Sequence, residues 1–281
     1  MRPIPHALRA GCRRGLTELR QTYTTALDLW GQLFWPVAML VVLFFMRGTE
    51  FHGDPLATLV LPGMLGLTIV FNGMLGTSGH LCVEREDGTL LRAKATPYGM
   101  AGYLTGKVVL VTGWVVIGVL ILLVPGAFLV GHLTLGTAGA WLTLAWVVLL
   151  GTAATLPFGA VLGSVIPNPR SQGVVMLPLS GLIAISGIFY PLTALPAGLQ
   201  VVGQVFPVYW LGLGVRSALL PDEAAAVEVS GSWRHLETVG VLGAWAVVGL
   251  LAALVVLPRM ARGESGSAVA ARREKALRRL T

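Results

Sequence analysis

The chain has 281 residues and a formal net charge of +7, yet only 12% of its residues are charged while 55% are hydrophobic, and the mean hydropathy is +0.77. A soluble globular domain carries roughly 25% charged residues, so an ordinary soluble protein is excluded. So is a disulfide-stapled scaffold, because Cys12 and Cys82 are the only cysteines and two this far apart fit neither a framework nor a thiolate metal site.

Residues 1–28 are basic and polar, with Arg2, Arg9, Arg13, Arg14 and Arg20 interleaved with Leu8, Leu16, Leu19 and Tyr23. The apolar core of a signal peptide follows its basic start sooner than this. The pattern predicts an N-terminal helix lying in a membrane interface. From Leu29 the chain changes character. Leu29–Met46, Val108–Val130 and Thr238–Pro258 contain no Asp, Glu, Lys or Arg, and about 20 apolar residues cross the roughly 30 Å of hydrocarbon. Six spans are predicted, at 29–46, 56–81, 108–130, 140–166, 174–190 and 238–257. Pro157 in the fourth and Pro178 in the fifth predict bends, because neighbouring helices can re-satisfy the freed carbonyls. The fold class expected is an all-α polytopic membrane protein.

Charge sorting orients it. Seventeen of the 20 basic residues fall in the N-terminal segment, the loop after span two, the loop after span four (Arg170) and the tail after span six. Arg47, Arg216 and Arg234 fall on the other side. Basic residues concentrate in cytoplasmic loops, so both ends are expected in the cytoplasm, with Cys12 and Cys82 reduced near that face. The domain reading is 1–28 as the interfacial helix, 29–257 as the six-helix domain and 258–281 as a basic tail. Trp30, Trp35, Trp141, Trp210 and Trp233 fall near predicted span ends, where aromatic belts anchor membrane proteins. Gly159 and Gly163 form a Gly-x-x-x-Gly pair that permits close helix approach, either within one chain or between two.

Two segments are less generic. The loop after span two, within 82–107, reads Glu84-Arg85-Glu86-Asp87-Gly88-Thr89-Leu90-Leu91-Arg92-Ala93-Lys94-Ala95-Thr96-Pro97. Its early acids and later bases complement a helix dipole, so a short amphipathic helix is predicted, ended by Pro97. The region 191–237 has apolar runs at 199–208 and 211–220, broken by Pro207, and neither is long enough to span. Arg216 is expected to snorkel at the outer interface.

Catalytic chemistry is not expected. His6, His52, His80, His132 and His235 are scattered, and no metal-ligand spacing or catalytic triad is evident. A phosphate-cradling loop needs Gly-x-x-x-x-Gly-Lys-Ser/Thr. The one Gly-Lys pair, Gly106-Lys107, has Ala101 where the first glycine belongs and Val108 after the lysine; Lys107 reads as an interface anchor for span three. Ionisable residues deep in a span would mark a proton or ion path, and none falls there.

The Glu-Arg-Glu-x-Gly-Thr-Leu stretch after the second span resembles the permease subunits of ABC-2 type ABC exporters. The stretch Ser186-Gly187-Ile188-Phe189-Tyr190-Pro191, followed by Leu195-Pro196, Phe206-Pro207-Val208-Tyr209-Trp210 and Val215-Arg216, is similar to that family's closing region. The antibiotic-resistance permeases of actinomycetes, of the daunorubicin exporter type, are the subgroup resembled. The resemblance implies the ABC-2 or type V exporter fold, with re-entrant helices before span six, in a bacterial cytoplasmic membrane. It implies a homodimer, or a heterodimer with a similar permease, paired with two copies of a separate ATPase that uses ATP and Mg. This chain would bind no cofactor and no nucleic acid, and membrane lipids would surround it.

In that family the loop after span two couples to the ATPase. Carried over, Glu84, Arg85 and Glu86 would make polar contacts with it, Gly88 and Thr89 would shape the turn, and Leu90 would pack against it. The family's cavity lies between spans two and five of two subunits, which makes Phe71, Asn72, Leu182 and Ser186 the candidate substrate path. An amphipathic compound, a drug or antibiotic, is the expected cargo. The alternatives are a lipid-linked or polysaccharide precursor, or a membrane scaffold or sensor that binds an ATPase and moves nothing.

Overall fold

The computed structural model describes residues 3–51, 54–131, 133–166 and 173–263. Arg2, His52, His132, Arg170 and the tail from residue 264 lie outside the described residues. Eleven α-helices follow in order among those described: α1 (Pro3–Thr22), α2 (Ala26–Met46), α3 (Leu56–Val70), α4 (Thr77–Glu86), α5 (Thr89–Lys94), α6 (Gly99–Val130), α7 (Ala138–Val165), α8 (Gly173–Ala184), α9 (Ala197–Val205), α10 (Pro207–Leu219) and α11 (His235–Gly263). A two-residue antiparallel pair, Glu50–Phe51 with Asp54–Pro55, closes the turn between α2 and α3.

Among the described residues five helices are long and apolar enough to cross a bilayer: Asp28–Met46, Leu56–Glu86, Gly99–Val130, Ala138–Val165 and His235–Gly263. They coincide with predicted spans one, two, three, four and six. The fifth differs. Its helix α8 ends at Ala184 after 12 residues, about 18 Å of rise, and a turn through Gly187 (φ +66°) follows. The second span is one helix interrupted by a π turn, Phe71–Gly76. Gly73 there faces α7 so closely that a Cβ on it would meet Thr155 Oγ1. The fourth stays helical through Pro157.

The core is built around α10. Val208, Tyr209, Leu211, Leu213 and Val215 are all buried, and the helix packs against α3, α7 and α11. It joins α9 at an 88° bend at Phe206, where Pro207 begins the second helix as proline favours at a first helical position. This changes two expectations. Arg216 does not snorkel: it is 4% exposed, its Nε lies 2.6 Å from Glu228 Oε1, and its Nη1 donates to Gly187 O at 3.2 Å. Trp210 and Trp233 are buried rather than belt residues, donating to Gln204 O and Asp222 Oδ1, whereas Trp30 and Trp141 are exposed.

The Gly159/Gly163 pair is used inside the chain. A Cβ on Gly159 would lie 2.5 Å from the Gly73 and Met74 carbonyl oxygens, and one on Gly163 would lie 2.7 Å from Ser78 O. These glycines seat α7 on the second span. A second glycine seam holds α1: Cβ atoms on Gly11 and Gly15 would lie 2.3 and 2.4 Å from the carbonyl oxygens of Gly102 and Gly106. Leu19 then reaches Gly113, so α1 runs alongside α6 in the same direction, with Leu8 and Leu16 left exposed.

Candidate functional site

The second span ends in Glu84-Arg85-Glu86, and the chain turns at Gly88, whose φ of +77° suits glycine. Asp87 Oδ1 accepts from Thr89 N at 2.8 Å, which starts the short helix α5. After Lys94 the chain turns again through Tyr98 (φ +56°) into α6. The predicted short helix is therefore present, between two tight turns.

Its residues divide into inward and outward sets. Glu84 is 6% exposed. It accepts from Tyr103 Oη at 2.7 Å and pairs with Lys107 Nζ at 2.7 Å, while Arg14 stands 3.8 Å away. Lys107 also donates to Glu18 Oε2 at 2.7 Å, and Arg14 Nε to Glu18 Oε1 at 2.7 Å. Two cations and two carboxylates from α1, α4 and α6 thus form one neutral cluster. Burial works against the charged form of Glu18, but hydrogen bonds from Lys107 and Arg14 outweigh it and hold its pKa below the usual carboxylate value.

Arg85 reaches the C-terminal end of α7, donating to Gly163 O at 3.0 Å and Ser164 O at 2.9 Å, where terminal carbonyls lack helical partners. Leu90 is 2% exposed and packs with Leu81, Ala93 and Tyr103, flanked by Leu257 and Met260 of α11. Lys94 Nζ donates to Ala261 O at 2.8 Å. Leu90 and Lys94 therefore fasten the short helix to α6 and α11, while Glu84 and Arg85 of α4, just before the turn, reach α1, α6 and α7. Glu84 and Leu90 are turned into the chain, so they do not present themselves to a partner as the loop reading expected. Glu86, Gly88 and Thr89 sit at the turn; Asp87, Arg92, Lys94, Ala95, Thr96, Pro97 and Tyr98 face out. Beside them a surface groove of about 630 Å³ runs between α1 and the start of α6, touched by His6, Ala10, Arg14, Thr96 and Tyr98.

Sequence reasoning missed Lys107, Glu18, Arg14 and Tyr103. Lys107 is not an interface anchor but the centre of the cluster, 9% exposed. The Arg14/Glu18 spacing of four, which puts the pair on one helix face, was the available signal. Of the substrate-path candidates, Phe71 and Asn72 lie in the π turn: Phe71 packs edge-on against Trp35 at 5.0 Å, and Asn72 Nδ2 donates to Thr68 O. Leu182 is half-buried near the end of α8, and the buried Ser186 donates to Ile183 O. The two hydroxyl and amide groups thus bond to their own backbone. Among the described residues no group of His, Cys, Asp and Glu could hold a metal ion, and Cys12 and Cys82 are free thiols.

Apolar spans, internal backbone satisfaction and a polar end piece braced on several spans define a multi-pass membrane protein. The family model for ABC-2 family transporter proteins matches residues 50–255, most of the chain, and the chain belongs to that family. It is a membrane component of a transporter. The match does not reach the daunorubicin subgroup. No curated protein matches the chain.

Proposed function

We propose that this chain is the permease subunit of an ATP-driven exporter in a bacterial cytoplasmic membrane, working as a dimer with two copies of a separate ATPase. The observation that carries the reading is the outward-facing turn Asp87–Tyr98, held on α6 and α11 by Leu90 and Lys94 and tied to α1 and α7 through Glu84 and Arg85 of α4 just before it. A push on that turn reaches four helices. Both ends face the cytoplasm, as the sorting of arginines and lysines requires. The sixth crossing is supplied by α8 with the turn after it, and the bent α9–α10 pair is a re-entrant element sealing the outer side. The ATPase contacts are assigned to Glu86, Asp87, Thr89, Arg92 and Tyr98 and to the neighbouring groove, with Gly88 shaping the turn. Arg85 and Glu84 act from behind, by holding the turn in place. Phe71, Asn72, Leu182 and Ser186 line the path of an amphipathic compound.

The test is reconstitution with an ABC ATPase, sought first in the neighbouring open reading frame. Vesicles holding both should show ATP turnover that rises with an amphipathic cargo, and cargo flux that depends on ATP. Charge reversal at Asp87 together with Glu86 should abolish capture of the ATPase while the bundle stays folded. ATPase capture with neither flux nor cargo-stimulated turnover would leave a scaffold and remove the exporter reading.

A further inference from the structure

A cavity of about 540 Å³ opens between α4, α6, α7 and α11 at the end of the bundle that carries the Asp87–Tyr98 turn. Its walls are almost wholly apolar, including Leu104 and Val108 of α6, Pro157 and Ala160 of α7, and Leu250 and Leu254 of α11. Leu104, Val108, Leu250 and Leu254 are each exposed, so the cavity is a groove open sideways to the bilayer. From Arg262 to Leu250 it extends 12 residues along α11, about 18 Å, which is close to the half-thickness of the hydrocarbon, roughly 15 Å. One acyl chain fits this length.

The mouth is basic. Lys94 and Arg262 border it and both are exposed. Lys94 uses one of its three donors on Ala261 O, and Arg262 uses one of its five on Pro258 O. Among the described residues neither forms an ion pair. A third feature lies further in: Thr77 and His80 line the groove, and Thr77 Oγ1 and His80 Nδ1 are buried without a hydrogen-bond partner. Buried polar atoms are ordinarily paired, and these two lie along the inner wall of the groove rather than at its basic mouth.

We infer that this groove binds one anionic diacyl phospholipid from the leaflet beside the turn. One acyl chain lies between α6 and α11, and the phosphate sits on Lys94 and Arg262. Because Lys94 is the last residue of α5 and also holds α11, the lipid headgroup bears directly on the braced turn. The inference needs only the membrane-spanning placement of these helices and is independent of cargo and of any ATPase.

The experiment is native mass spectrometry of the full chain released from nanodiscs containing equal phosphatidylglycerol and phosphatidylcholine with identical acyl chains. One phosphatidylglycerol per chain should remain bound, favoured about thirtyfold, the gain of two basic groups at an anionic surface. Lys94→Gln with Arg262→Gln should bring the preference close to unity while a lipid is still retained. Ala160→Trp, which fills the groove from α7, should lose both lipids. Truncation after Gly263 should keep the preference, since the site is built by the groove. Equal retention of the two lipids by the native chain overturns the inference, as does a preference that survives the double substitution or vanishes on truncation alone. If Ala160→Trp does not fold, the charge variant and the truncation still decide the question.

Discussion

Replacing Lys107 with methionine removes the centre of the buried charge cluster and keeps most of its apolar stem. In the native chain Lys107 contacts Glu18 and Glu84, each at 2.7 Å, and with Arg14 the four charges sum to zero. The substitution leaves a net charge of −1, with Glu84 only 6% exposed. Breaking a buried ion pair by removing one partner costs about 3–5 kcal/mol. Glu18 is the more exposed carboxylate, with 23% of its side chain accessible, and adds little beyond the roughly 0–1 kcal/mol of a surface pair. Tyr103 still donates to Glu84, and Arg14 remains 3.8 Å away, so the low end applies, about 3 kcal/mol. That is about a hundredfold increase in the open population of α1. Hydrogen exchange of the amides of α1 in detergent measures it directly, alongside the thermal unfolding midpoint. Lys107→Met with Glu84→Gln restores neutrality and keeps the tyrosine contact, and should recover all but about 1 kcal/mol. Unchanged exchange in α1 for Lys107→Met, or no recovery in the double variant, would refute the cluster as the clasp that holds α1.

Other outcomes follow from the same geometry. Gly15→Leu should detach α1 from α6 at a cost of about 1–3 kcal/mol or more, because its Cβ would lie 2.4 Å from a backbone oxygen; protease sensitivity of α1 reports it. The contribution of Glu18 is complete above its unfolded pKa near 4.5 and is lost as pH falls through its lower folded value, so α1 exchange should rise only on acidification below about pH 4.5. Arg216→Met strands the buried Glu228 and should cost about 3–5 kcal/mol, read as a lowered thermal midpoint, while Arg216→Met with Glu228→Gln should be much milder. Gly88→Ala must hold an alanine at a φ of +77° and should cost about 1–2 kcal/mol, seen in the same midpoint.

Five of the spans were legible because apolar length and missing charge are properties of a contiguous stretch, and α2, α6 and α11 needed nothing else. The α8 region was not, since its apolar run continues past Ala184 while the backbone turns at Gly187. The helix α10 was misjudged for the opposite reason. Thirteen residues with Arg216 in the last turn resemble a surface element, and only the partner Glu228 explains how the guanidinium can be buried in the core. Lys107 shows the same limit: its partners lie 89 and 23 positions away, and no local pattern names them. The short helix after the second span was legible from its charge pattern, but which of the neighbouring residues face inward depended on α6 and α11 being packed behind it.

The glycine seam between α1 and α6 has a mechanical consequence. Where two helices meet through side chains, rotamers can shift and absorb part of a displacement. Gly11 and Gly15 meet Gly102 and Gly106 backbone to backbone, so there is nothing between them to yield. The seam ends near the Tyr98 corner, so a displacement of that corner passes to the N-terminal helix with little side-chain slack to absorb it.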